Sequence, residues 1–167
     1  MNALTLEILP ETSQDAAAIE KLHERAFGPG RFVKSAYRLR EGVPPVAELS
    51  FIARVGTFLV GSIRLTPIRV GTAEALLLGP LTVEPAFANR GIGLALMQKA
   101  LAAAEARGDR LVFLVGDEPY YARAGFRTVA PAGRIRLPGP ADPRRVLVRE
   151  LAAGAFDGVS GDLMAAR

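Results

Sequence analysis

The sequence predicts a mixed α/β domain of the α+β type, with one parallel strand pair set into a mostly antiparallel sheet. Three observations predict it. Residues 48–83 read as three strands separated by short glycine turns, residues 91–107 read as one long helix, and "RLVFLVG" follows as a mostly apolar strand. Strands joined by tight turns run antiparallel, whereas a strand reached through a helix runs parallel to its predecessor. The 167 residues, half of them apolar, suffice for one domain with its own core.

Taken in order, "LTLEIL" at 4–9 alternates as a first strand, and Pro10 stops it. Thr12 or Ser13 caps a helix with an apolar stripe of Ile19, Leu22 and Ala26, ended by Gly28 and Pro29. His23, the single histidine, stands one residue off that stripe and reads as a structural or surface histidine. "RFVKSAYRLREG" is expected as a second helix with Gly42 as its stop. "ELSFIARV", "FLVGSIRLTPI" and "EALLLGPLTV" then form a meander, turning at Gly56-Thr57 and at Gly71-Thr72.

After Val83 the chain runs through "EPAFANRG" into the long helix, whose expected apolar face is Leu94, Met97, Leu101 and Ala104. Gly108 ends it. "FRTVAP" and "VLVREL" read as two further strands around a Gly- and Pro-rich loop, and the last ~15 residues, from "FDGVSGDLMAAR", as a loosely ordered extension.

Composition excludes several classes of function. There is no cysteine, hence no disulfide or thiolate chemistry, and with one histidine a zinc site is not expected. The opening residues carry no basic leader, and no apolar run approaches the roughly 20 residues of a membrane span, so a soluble cytoplasmic protein is expected. The net charge is +4, and residues 123–149 hold seven arginines against one acid, Asp142. No aromatic residue interleaves these arginines after Arg127, so a nucleic-acid stacking platform is not supported.

The strand-to-helix turn "ANRGIG" carries the chemistry. A helix start offers bare N–H groups and about half a positive charge, and glycines let a phosphate approach the backbone. Gly91 and Gly93 supply access, and Arg90 adds a full charge. A dinucleotide fingerprint wants glycine at position 96, where the chain has Leu96, and no Gly-Lys-Ser or Gly-Lys-Thr of an ATP-binding loop follows.

"LTVEPAFANRGIGLAL" resembles the acyl-CoA-binding motif of the GNAT superfamily of N-acetyltransferases, and "GDEPYYARAGF" resembles the motif that closes that fold. The two, in the family's order and spacing, cover residues 78–127, and "LLLGPLTV" with the second motif is similar to a bacterial branch of predicted acetyltransferases. The resemblance implies a GNAT-like sheet of six to seven strands, its central parallel pair splayed, flanked by about four helices. It implies acetyl-CoA as cosubstrate, with the pantetheine arm on the backbone of Leu81 and Val83. The pyrophosphate would sit on amides of Asn89, Arg90, Gly91, Ile92, Gly93 and Leu94. One departure is Ala88, where the family commonly has glutamine or arginine.

The same resemblance assigns Tyr121, four residues before Gly125, as general acid to the CoA sulfur, with Tyr120 as a packing neighbour. Glu84 stands as a candidate general base or an ordinary loop acid, and Asp117 and Glu118 as groups that attract a cationic acceptor. The expected activity is transfer of acetyl to a primary amine, on a small molecule or peptide, by direct attack in a ternary complex without metal. A module that only senses acyl-CoA is the alternative. Homodimers are common in the family, although no segment here marks an interface.

Overall fold

The computed structural model describes residues 5–28 and 35–166. Strand β1 (Leu6–Pro10) is followed by a 3-10 turn and helix α1 (Ala16–Phe27). Asp15 closes the start of α1: its carboxylate accepts from the Thr12 N–H at 2.8 Å and from Arg54 at 2.9 Å. Gly28, at φ 67, ends the helix in a conformation that favours glycine. Helix α2 (Ser35–Arg40) is the described part of the expected second helix, whose first residues lie outside the described ones.

The meander forms as its pattern requires. Strands β2 (Phe51–Val55), β3 (Phe58–Val70) and β4 (Ala73–Val83) pair antiparallel in sequence. Helix α3 (Ile92–Arg107) then leads to β5 (Leu111–Val115), which pairs parallel to β4. A short helix α4 (Glu118–Tyr121) follows, then β6 (Arg127–Thr128), β7 (Ile135–Arg136), β8 (Val146–Glu150) and β9 (Gly161–Ala165). The main path runs β1-β2-β3-β4-β5-β8-β6, so seven strands carry the sheet, with the parallel β4–β5 pair near its centre.

Two expectations need correction. The last ~15 residues are not a loose extension, because β9 pairs with the far half of β3 and with β7. Phe156 and Leu163 are each 2% exposed, and burying two such side chains stabilises by about 1.5–3 kcal/mol apiece. Arg134 clamps the segment, stacking 3.6 Å from the Phe156 ring centroid and donating to the carbonyls of Phe156 and Val159. The sequence signal missed this because the apolar residues are sparse and their partners lie far away along the chain.

The buried face of α3 also differs. Ile92, Leu96, Met97, Ala100, Leu101 and Ala104 are buried, whereas Leu94 is only partly so. Leu96 reaches the sheet where β3 has Gly61, and a Cβ there would press on Leu96, Ile92 and Ala53. The glycine therefore sets how closely helix and sheet approach.

Side chains alternate across the sheet and so define two covered faces. Ile63, Leu65, Val112 and Leu114 pack into the cluster beneath α3. Phe113, Ile68 and Val70 face the other way, with Leu39 of α2 and Phe156.

Candidate active site

The site begins as a fault in the pairing of β4. Leu78 stands opposite Leu65 but Leu81 opposite Ile63, so β4 carries one extra residue around Gly79 and Pro80. A bulge of this kind bends the strand that bears it. Pairing to β5 is confined to Leu76–Val112 and Leu77–Phe113, and beyond it the two strands diverge.

The backbone of β4 past the bulge faces that gap. The Glu84 N–H donates to the Val60 carbonyl at 2.8 Å, so residues 84 and 82 exchange bonds with β3. In an antiparallel ladder the intervening residues point their N–H and C=O groups the opposite way. These are Leu81 and Val83. Their backbone groups therefore line the β5 side, as an added extended strand would need.

At the far end of this edge lies the turn into α3. Asn89 (φ 63) and Gly91 (φ 79) both hold left-handed conformations that aim the turn, and Asn is among the few side chains that tolerate one. The Ala95 N–H donates to the Gly91 carbonyl, no side chain caps the helix start, and its first turn holds no acid. The amides of the first turn are thus left for an anion. Arg90 stands beside them, 5.1 Å from the Phe87 ring centroid.

Across the gap stands α4. Tyr121 packs its ring where Gly116 leaves no room for a side chain, edge-on to Tyr120 at 4.9 Å and near Phe126 at 6.4 Å. Burial, reinforced by Tyr120, pushes the Tyr121 hydroxyl up to about 12, so it stays protonated at physiological pH. Tyr120 is raised too, mainly by burial, and its hydroxyl lies against Gly93 of α3. Only glycine at position 93 admits that contact.

A cavity of about 520 Å³ opens on the face opposite α3. Arg64 and Thr66 of β3 line it, alternating with the α3-facing Ile63 and Leu65, and so do Glu20 and His23 of α1 and Tyr37 and Arg40 of α2. Gly79, Leu81, Tyr120 and Tyr121 complete the wall nearest the gap. The split between β4 and β5 is therefore a window joining the α3 turn on one face to the cavity on the other.

The model of the acetyltransferase (GNAT) family matches residues 16–126. The chain belongs to the GNAT family. It is 31% identical over 120 residues to the uncharacterized N-acetyltransferase YjhQ of Escherichia coli, a match covering 70% of this chain and 66% of that relative's length. Among solved structures it is similar to the GNAT family N-acetyltransferase YhbS of Escherichia coli in complex with CoA. The TM-score is 0.82 and the identity 26%, with 99% of this chain and 92% of that one covered. A GNAT acetyltransferase of Brucella melitensis in complex with acetyl-CoA matches at TM-score 0.60 and 29% identity, covering 92% and 99%.

In this GNAT domain the residues expected to hold CoA and the tyrosine expected as acid are gathered around one window. Glu84 is placed differently. Its Oε2 accepts from Arg25 of α1 at 2.6 and 2.9 Å, and it does not line the cavity. Asp117 lines the cavity but pairs with Arg145 at 3.2 Å, and Glu118 accepts from Thr128, whose side chain and N–H together lower its pKa. Arg25, Arg40 and Arg64 were missed in sequence. Each stands in or beside an ordinary helix or strand pattern, and only the folded chain brings them to the site.

Proposed function

We propose that this GNAT protein transfers the acetyl group of acetyl-CoA to a primary amine by direct attack in a ternary complex. The observation that carries the reading is continuity: the uncapped start of α3, the outward-facing backbone of Val83 and Leu81, and Tyr121 follow one another along a single open edge. In this reading the pyrophosphate takes the amides of residues 89–94, the pantetheine arm pairs with Val83 and Leu81, and the thioester ends beside Tyr121. The GNAT structures with CoA and acetyl-CoA support it.

The amine would approach from the cavity and the cofactor from the α3 face. Its nitrogen forms a bond to the thioester carbon, the C–S bond breaks, the nitrogen loses one proton and the sulfur gains one. A backbone N–H at Val83 meets the carbonyl oxygen as charge develops there. Tyr121 donates its O–H toward the departing sulfur. A thiolate is a weaker base than a phenolate held near 12, so Tyr121 acts mainly as a hydrogen-bond donor that stabilises the leaving charge, and the sulfur takes its proton from solvent as CoA departs. Glu84 stands outside the cavity with both bonds from Arg25 on its Oε2, so a water takes the amine proton and Oε1 of Glu84 is the candidate acceptor beyond that water. With acetyl-CoA as cosubstrate, the cytoplasm is the compartment this reading expects.

Tyr121→Phe tests the reading. The expected result is a kcat lower by about 10²-fold or more, the usual worth of a positioned acid–base group, with CoA affinity retained. Equal turnover by the variant would remove Tyr121 from the chemistry, and CoA binding without turnover in the wild type would instead fit a protein that binds acyl-CoA without using it.

A further inference from the structure

We propose that the amine acceptor also carries a carboxylate, as a small amino acid does, and that this carboxylate docks on Arg40. The inference rests on the transferase reading above and concerns the acceptor end of the same site.

Among the described residues Arg40 is the cavity's unmatched cation. Arg64 is held by a bidentate pair to Glu11 at 2.9 and 3.0 Å, and Arg145 pairs with Asp117. The imidazole of His23 lies 4.0 Å from Glu20. Among the described residues Arg40 makes no ion pair and its guanidinium donates no hydrogen bond, although it lines the cavity. Residues 29–34, "PGRFVK", contain no acid either.

A guanidinium partly withdrawn from water without an acid is costly, and here burial lowers Arg40 to about 10, with Tyr37 opposing the shift and Arg64 adding repulsion. Such a group awaits an anion. One unmatched positive charge in a planar fork suits a carboxylate, which can take two parallel hydrogen bonds. A phosphate dianion would call for a second unpaired cation, and Arg64 and Arg145 are already engaged.

The placement fits an amino acid. A Cβ on Gly79 would lie 3.5 Å from Nη1 of Arg40, so the guanidinium sits over the β4 bulge. Gly79 precedes Leu81 by two residues, roughly 6.5 Å along a strand. A carboxylate about 2.8 Å from the guanidinium leaves the amine of a short amino acid within reach of a thioester beside Leu81 and Tyr121.

The test measures CoA release from acetyl-CoA with free L-amino acids, β-alanine and γ-aminobutyrate, each paired with its carboxamide. It compares the full chain with Arg40→Gln and Arg40→Lys. The expected result is a preference for the acid of roughly 10- to 100-fold in kcat/KM for at least one pair. Arg40→Gln should collapse it through the acceptor's KM rather than that of acetyl-CoA, and Arg40→Lys should restore part of it. The proposal is overturned if carboxamides serve as well as acids, if Arg40→Gln slows both alike, or if no acid is acetylated. Stabilisation by CoA, measured separately on each variant, checks folding. Its absence in the wild type would instead defeat the transferase reading.

Discussion

Tyr121 shows how a side chain's surroundings set its chemistry. Gly116 makes space for the ring, Tyr120 and Phe126 hold it edge-on, and burial keeps the hydroxyl neutral. A phenol raised above its unfolded value near 10 contributes stability that is complete below pH 10 and is lost as pH rises toward 12. Over the same range its donor role persists. We therefore expect kcat, at saturating acceptor, to rise as the amine loses its proton and then hold level to about pH 11. A decline centred near pH 10 in the pH–rate profile would show a solvated tyrosine. At this scale the motif spacing located Tyr121 and Gly93, which the fold sets beside the gap, while their roles rest on the proposal. The sequence was silent on Arg40, which looks like any cation in the last turn of a helix and gains its meaning only opposite Gly79.

Among the elements, α3 and α4 meet at the edge proposed to hold the cofactor. The Tyr120 hydroxyl rests on Gly93, next to Val83, on the path proposed for the pantetheine arm. An added methyl at position 93 has nowhere to go unless Tyr120 moves. Gly93→Ala is accordingly expected to weaken CoA binding by roughly tenfold, about 1.4 kcal/mol, with much smaller change in the unliganded midpoint. Titration calorimetry reads this directly, and unchanged affinity would mean that the arm takes another path. Strands β2 to β5 and helix α3 were legible because their periodicity and glycine turns are local signals. β7 and β9 were not, since two-residue and five-residue strands depend on pairing with distant β3 and on the Arg134–Phe156 clamp.

Over the whole molecule, the arginine-rich stretch from 123 to 149 resolves largely into structure. Arg127, Arg136, Arg144 and Arg145 pair with Glu150, Asp162, Asp142 and Asp117, while Arg149 donates to the Ala124 carbonyl at 2.8 Å. Exposed pairs of this sort add little stability individually. They do consume much of the positive face that the linear sequence suggests, and leave Arg40 as the charge with work to do inside. Among the described residues no helix is long and apolar enough to cross a membrane. The sheet's central fault, one extra residue in β4, was invisible in sequence because register depends on the partner strand. Yet it opens the window on which the functional account depends.

The most direct measurement is thermal unfolding with acetyl-CoA, CoA, NADH and ATP in parallel. Ligand at a hundredfold over its dissociation constant adds about 2.7 kcal/mol, which raises the midpoint of a chain this size by several degrees. The account predicts a rise with acetyl-CoA and with CoA, and none of that size with NADH or ATP. No rise with either CoA species would contradict it, and the open edge of β4 would then have to hold something else.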